Sequence, residues 1–161
     1  MTQDLYYLMS QAILQAKEAF SNGEVPVGAI LADPDGRIIA RAHNQPIGLK
    51  DPTAHAEILA LRKGGAACNN YRLNGVILVV TIEPCLMCMG AVINARIARL
   101  VFGAHDPKAG AAGSLYDLNK DDRLNHMVEV ISGIMEEECG NLMKEFFQDR
   151  RGNQGEVPKW S

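Results

Sequence analysis

The chain has 161 residues, 47% hydrophobic and 22% charged, with seven prolines and fifteen glycines spread along it, a composition that suits one globular domain and excludes disordered and fibrous classes. A formal net charge of −3 argues, on composition alone, against a nucleic-acid binder that grips many phosphates. No apolar run approaches the ~20 residues of a bilayer span, and Asp4 stands where a signal peptide needs a basic start, so a cytoplasmic protein without membrane contact is expected.

Leu5, Leu8, Met9, Ala12, Ile13, Ala16 and Phe20 repeat at three- and four-residue spacing, which predicts an amphipathic helix ending near Asn22-Gly23. Two short apolar runs, 25–31 and 37–42, flank Asp33-Pro34-Asp35-Gly36, whose turn chemistry predicts an antiparallel hairpin. A polar loop, 44–52, leads to a helix expected to start near Thr53 as N-cap and to fail at Gly64-Gly65. The β-branched run 76–82 predicts a strand covered on both faces. Pro84 then opens a helix running to about Asn94 or Arg96, followed by a strand at Leu100-Val101-Phe102, and strand, helix, strand implies a parallel crossover. A glycine-rich loop, 103–114, precedes a fifth strand around 127–131, and Met135, Cys139, Leu142, Met143 and Phe146 outline a last helix. The expected architecture is one α/β domain, residues 1–151, with a mixed five-stranded sheet under helices and a flexible tail at 152–161.

In a reducing compartment the four cysteines, Cys68, Cys85, Cys88 and Cys139, are expected to be buried or metal-bound rather than paired. Cys85 and Cys88 are three apart at a helix start, where both sulfurs reach one ion and the positive end of the helix favours thiolates. His55 and Glu57 are two apart, which in a helix interior would point them nearly opposite ways. Both serve one pocket only from a loosely constrained first turn, and Asp51-Pro52-Thr53 puts them there. Cys68, thirteen residues on along a helix, falls more than ~10 Å from His55. The metal therefore keeps three protein ligands and an open position, as catalytic zinc does, and the S₂N donor set favours zinc over iron.

His55-Ala56-Glu57 followed by Pro84-Cys85-Leu86-Met87-Cys88 fits the zinc nucleobase deaminase signature. With 51–58, 99–104, 106–114, Phe146-Phe147 and Arg150-Arg151, the chain resembles the bacterial tRNA-specific adenosine deaminases over roughly residues 4–151. The resemblance implies a three-layer α/β/α cytidine deaminase-like fold, one Zn²⁺ per chain, a homodimer, and conversion of the wobble adenosine of a tRNA anticodon loop to inosine. It further implies His55, Cys85 and Cys88 as metal ligands and Glu57 as the catalytic proton carrier during attack of water on carbon 6. Asn44 would hydrogen-bond the flipped nucleotide, Val25 and Pro26 would line its pocket, and Lys108, Asn125, Phe147 and Arg151 would hold flanking RNA.

Two alternatives stay open from the sequence. One is a deaminase of the same fold acting on a free base or small heterocycle, favoured by the acidic total and by a tail after Gly152 whose sole basic residue is Lys159. The other is a non-catalytic zinc-stabilised binding module, in which Glu57 has no particular role. His43, His105 and His126 lack ligand spacing and are expected to be structural or surface groups, Cys68 and Cys139 buried thiols, and Trp160 a tail residue.

Overall fold

The computed structural model describes residues 4–152; the segment read as a tail, Gly152 apart, and Trp160 with it lie outside the described residues. Helix α1 (Leu5–Ser21) starts on Asp4, whose carboxylate accepts the Tyr7 N–H at 2.9 Å, and it buries Leu8, Met9, Ala12, Ile13, Ala16 and Ala19. Strands β1 (Gly28–Ala32) and β2 (Ile38–His43) form the expected hairpin. A Cβ on Gly28 would run into the backbone of Ala12 and Ala16, so this glycine lets α1 lie directly on β1.

Between β2 and the next long helix lies a short helix, α2 (Pro46–Leu49), that the polar composition of the segment concealed. Helix α3 (Ala56–Cys68) begins later than expected, with His55 rather than Thr53 at the N-cap position. The Thr53 hydroxyl donates to Asp51 Oδ1 at 2.8 Å instead, so it is spent on the preceding turn. Nor does α3 stop at Gly64-Gly65. Gly64 is buried where a Cβ would collide with Leu31, so that glycine serves close packing, and the helix ends at Asn69 in a left-handed conformation.

Strand β3 (Ile77–Ile82) is buried along its whole length, as its run of apolar residues implied. Helix α4 (Leu86–Asn94), strand β4 (Arg99–Ala104), strand β5 (Glu129–Ser132) and helix α5 (Glu136–Gly152) follow, with a 3₁₀ turn at Leu118–Lys120. The sheet order is β2-β1-β3-β4-β5. Helices α1 and α5 pack on one face and α3 and α4 lie on the other, which gives the expected three layers.

Strand β1 is antiparallel to both β2 and β3, while β3, β4 and β5 are mutually parallel. Four strands thus run one way. The carboxyl ends of β2, β3 and β4 and the start of β1 therefore meet at one edge of the sheet, where open α/β folds place their ligands. Everything the sequence marks as chemical except Asn125 and the end of α5 hangs from that edge.

Candidate metal and catalytic site

Two helix N-termini converge at this edge. His55 precedes α3 and Cys85 precedes α4, each at the N-cap position with extended backbone, and Cys88 lies in the first turn of α4. Neither side chain makes a capping hydrogen bond, which leaves both for another use. His55 Nδ1 is 3.6 Å from Cys85 Sγ and 3.5 Å from Cys88 Sγ, and the three donor atoms lie within 4.8 Å of one another. A tetrahedral zinc with its usual bonds to nitrogen and sulfur sets such N···S separations near ~3.6 Å. The residues therefore fit zinc, and among the described residues the cluster has three members, one short of a closed structural site. Cys68 stands at the last residue of α3 and takes no part, as the helical distance required, but it is exposed rather than the buried thiol expected, because the end of α3 carries it out to solvent.

The electrostatics match this use. A hydrogen bond from the Cys88 thiol, helped by another from His55 and opposed by burial, draws Cys85 down to about 4. Cys88 is pushed up, first by that same hydrogen bond and then by burial and the nearby Glu57 carboxylate. A bound dication would hold both as thiolates. The hydrogen bond with Cys85 raises His55 above its ordinary value, against the effect of burial.

Glu57 is 3% exposed in the first turn of α3, outside the three-donor cluster but hydrogen-bonded with Cys88. Burial pushes its carboxyl above the usual glutamate range. The turn that presents it is held from outside: buried Asn44, directly after β2, accepts the Ala56 N–H on Oδ1 at 2.7 Å. Asn44 thus acts as the cap that His55 cannot be, while its own amide N–H groups have no protein partner among the described residues.

The other predicted contacts separate into groups. Val25, Phe147 and Arg151 line one cleft of about 480 Å³, with Glu24, Pro46, Ile47 and Arg150. The adjacent phenylalanines diverge: Phe146 is buried edge-to-face on Phe20 with Arg150 over its ring, whereas Phe147 is 40% exposed. Arg150 also donates to the Gly23 carbonyl, so it serves the fold and Arg151 remains exposed. Pro26 is buried beside Val25 but does not line that cleft; Lys108 is exposed on the loop after β4. Asn125 lies elsewhere, in a polar cleft with Arg72, Arg96 and Arg123, its carbonyl accepting from Arg96 at 2.9 Å.

Each remaining histidine has a local partner: His43 with Gln15, His105 with Glu83, His126 with the Ile97 carbonyl. Cys139 is buried against Gly103, and burial pushes it up to about 12. Two residues at the site escaped the sequence reading. Glu24, 3% exposed, accepts the Ile47 and Gly48 N–H groups at 3.0 and 2.8 Å and so anchors α2 beside the Val25 cleft. Glu83 is the other; an acid closing an otherwise apolar strand, next to Pro84, was the available signal. Burial alone would raise its pKa, but hydrogen bonds from Ser114, Asp106 and Ala112 overcome this and hold it below the usual glutamate value.

Residues 2–104 match the family described as the cytidine and deoxycytidylate deaminase zinc-binding region. The tRNA-specific adenosine deaminase of Bacillus subtilis is 48% identical over 151 residues, 94% of this chain and 92% of that protein. A solved structure from a study of A-to-I editing by tRNA:A34 deaminases superposes with a TM-score of 0.82 at 43% identity, covering 84% of this chain and 98% of that one. The guanine deaminase of Nitrosomonas europaea, at 23% identity and a TM-score of 0.76 over 91% of this chain and 86% of its own, shares the fold alone. The chain belongs to the zinc-binding cytidine and deoxycytidylate deaminase family, among its tRNA-specific adenosine deaminases.

Proposed function

We propose that this protein hydrolyses adenosine to inosine at the wobble position of a tRNA anticodon loop, using one zinc per chain. The observation that carries the chemistry is the three-donor cluster of His55, Cys85 and Cys88 with buried Glu57 against it. When bound, zinc supplies the Lewis acidity that makes water a nucleophile at neutral pH.

Glu57 takes a proton from the incoming water and delivers protons to the ring nitrogen and the departing amine, so adenosine and water become inosine and ammonia. Its burial favours the proton-carrying form at the moment of delivery. Asn44, fixed through Oδ1, offers its amide N–H groups to the flipped nucleotide, and Val25 and Pro26 wall the pocket. Phe147 and Arg151 take a neighbouring base and its phosphate, with Lys108 and Asn125 on other flanking nucleotides. The relatives named as tRNA-specific deaminases support this substrate over a free base. Zinc-loaded protein incubated with total tRNA should release ammonia and leave inosine; turnover of free bases and nucleosides alone would replace the RNA reading with the small-molecule one.

The reading includes a cytoplasmic enzyme acting as a homodimer. Among the described residues no helix is long and apolar enough to cross a membrane. A groove of about 780 Å³ between α3 and α4, lined by Ile58, Leu61, Tyr71 and Ala91, supports pairing of two copies. The Ala91-Val92-Ile93 run is not itself that face, because Val92 and Ile93 are buried and only Ala91 reaches the groove. Sedimentation at micromolar concentration should give twice the 17.5 kDa chain mass; a single 17.5 kDa species would contradict the dimer.

A further inference from the structure

The loop between β4 and the 3₁₀ turn carries exposed Lys108, assigned above to flanking RNA, yet it has almost no core of its own. Of residues 105–114 only Gly110 and Ala111 are buried. In place of apolar packing, the loop wraps around one carboxylate. Glu83 is 3% exposed and accepts the Asp106 N–H on Oε1 at 3.1 Å, and the Ala112 and Ser114 N–H groups on Oε2 at 3.0 Å each. The Ser114 hydroxyl bonds Oε1 as well, and His105 Nδ1 is 3.4 Å from it. A Cβ on Gly110 would fall on the carboxylate itself, so that glycine is what allows the loop to close around the charge.

The contacts continue to Lys108. Asp106, held by Glu83 through its N–H, accepts the Lys108 and Ala109 N–H groups on its own Oδ1 at 3.1 and 3.2 Å. On the other side Glu83 is two residues from Cys85, and the same loop touches the metal segment through the Ala111 N–H to the Pro84 carbonyl at 2.8 Å and a Cys85–Gly110 bridge. We propose that Glu83 is a positioning residue for substrate: its carboxylate sets the loop 105–114, and Lys108 with it, in fixed register against the zinc ligands. It touches neither metal nor substrate. The kinetic part of this inference rests on the RNA reading above; the structural part does not.

Glu83→Gln keeps the shape but turns one acceptor into a donor facing backbone N–H groups. Three readouts on the zinc-loaded protein test the proposal. Zinc should stay at one per chain. Amide exchange should accelerate in 105–116 and not in α3 or α4. For an adenosine-bearing anticodon stem-loop, KM should rise on the order of 10- to 100-fold, the range seen when a supporting partner of a functional group is lost, with kcat changing far less. Gly110→Ala, which retains Glu83 but crowds it, should produce the same loop-exchange and KM changes, and adding it to Glu83→Ala should cost little more, since the group it meets is gone. Zinc loss, unchanged loop exchange, or a fall in kcat at constant KM would overturn the proposal. If the wild-type protein does not turn over the stem-loop at all, the RNA reading fails while loop exchange still decides the role of Glu83.

Discussion

Glu57→Gln is expected to keep one zinc per chain and the native fold while turnover falls by about 10²–10⁴, the usual contribution of a general acid–base group. Glutamine occupies nearly the same volume and still accepts a hydrogen bond, so the first turn of α3 and its Asn44 cap should survive. The metal should survive too, because Glu57 is outside the His55, Cys85 and Cys88 cluster. Only proton transfer is removed. Metal analysis alongside single-turnover kinetics measures both halves. Near-full activity would exclude Glu57 as proton carrier, and loss of zinc would make it a support of the metal site instead. A zinc-stabilised binding module predicts no change in any activity, so this substitution also separates an enzyme from a scaffold.

Phe147→Ala combined with Arg151→Ala should lower kcat/KM on an anticodon stem-loop on the order of 10- to 100-fold, as expected for losing one stacked base at ~1–3 kcal/mol. Zinc content should not move. An adenine amine stacked in RNA must leave the stack to reach a recessed site, and loops give up a base more cheaply than duplexes. The splayed neighbours then need a surface. The Val25 cleft offers one: Phe147 is half out of the protein, while Phe146 and Arg150 are committed to holding α5 on Phe20 and Gly23. Arg151 is exposed and has no ion-pair partner among the described residues. Wild-type activity should fall steeply with added salt, and less steeply in the double variant, which has one phosphate contact fewer. Unchanged stem-loop kinetics in both respects would remove this cleft from the substrate path.

The sequence is legible where a periodic pattern or a short-range spacing decides the structure. The α1 stripe, the Asp33–Gly36 hairpin and the apolar β3 run each specify their element, because burial rewards one period only. His55, Glu57, Cys85 and Cys88 are legible because two helix starts can bring those residue types together. What failed is what depends on contacts across the fold. Gly64 resembles a helix end until Leu31 is seen against it, and Thr53 resembles a cap until Asp51 claims its hydroxyl. Glu24 and Glu83 carry no motif of their own; their partners are backbone N–H groups 23 to 31 residues away, and no local pattern records them. The same holds for the split between Phe146 and Phe147, identical in type and opposite in exposure.

The central claim is that this site deaminates adenosine presented in an unpaired RNA loop. The most direct measurement uses two synthetic stem-loops of equal composition, one with its adenosine at the wobble position of the loop and the other with it paired in the stem, each digested to nucleosides after incubation with zinc-loaded protein. Inosine should form from the first and not from the second, with one ammonia released per inosine. Equal conversion of both, or conversion of free bases with neither stem-loop touched, would contradict the account.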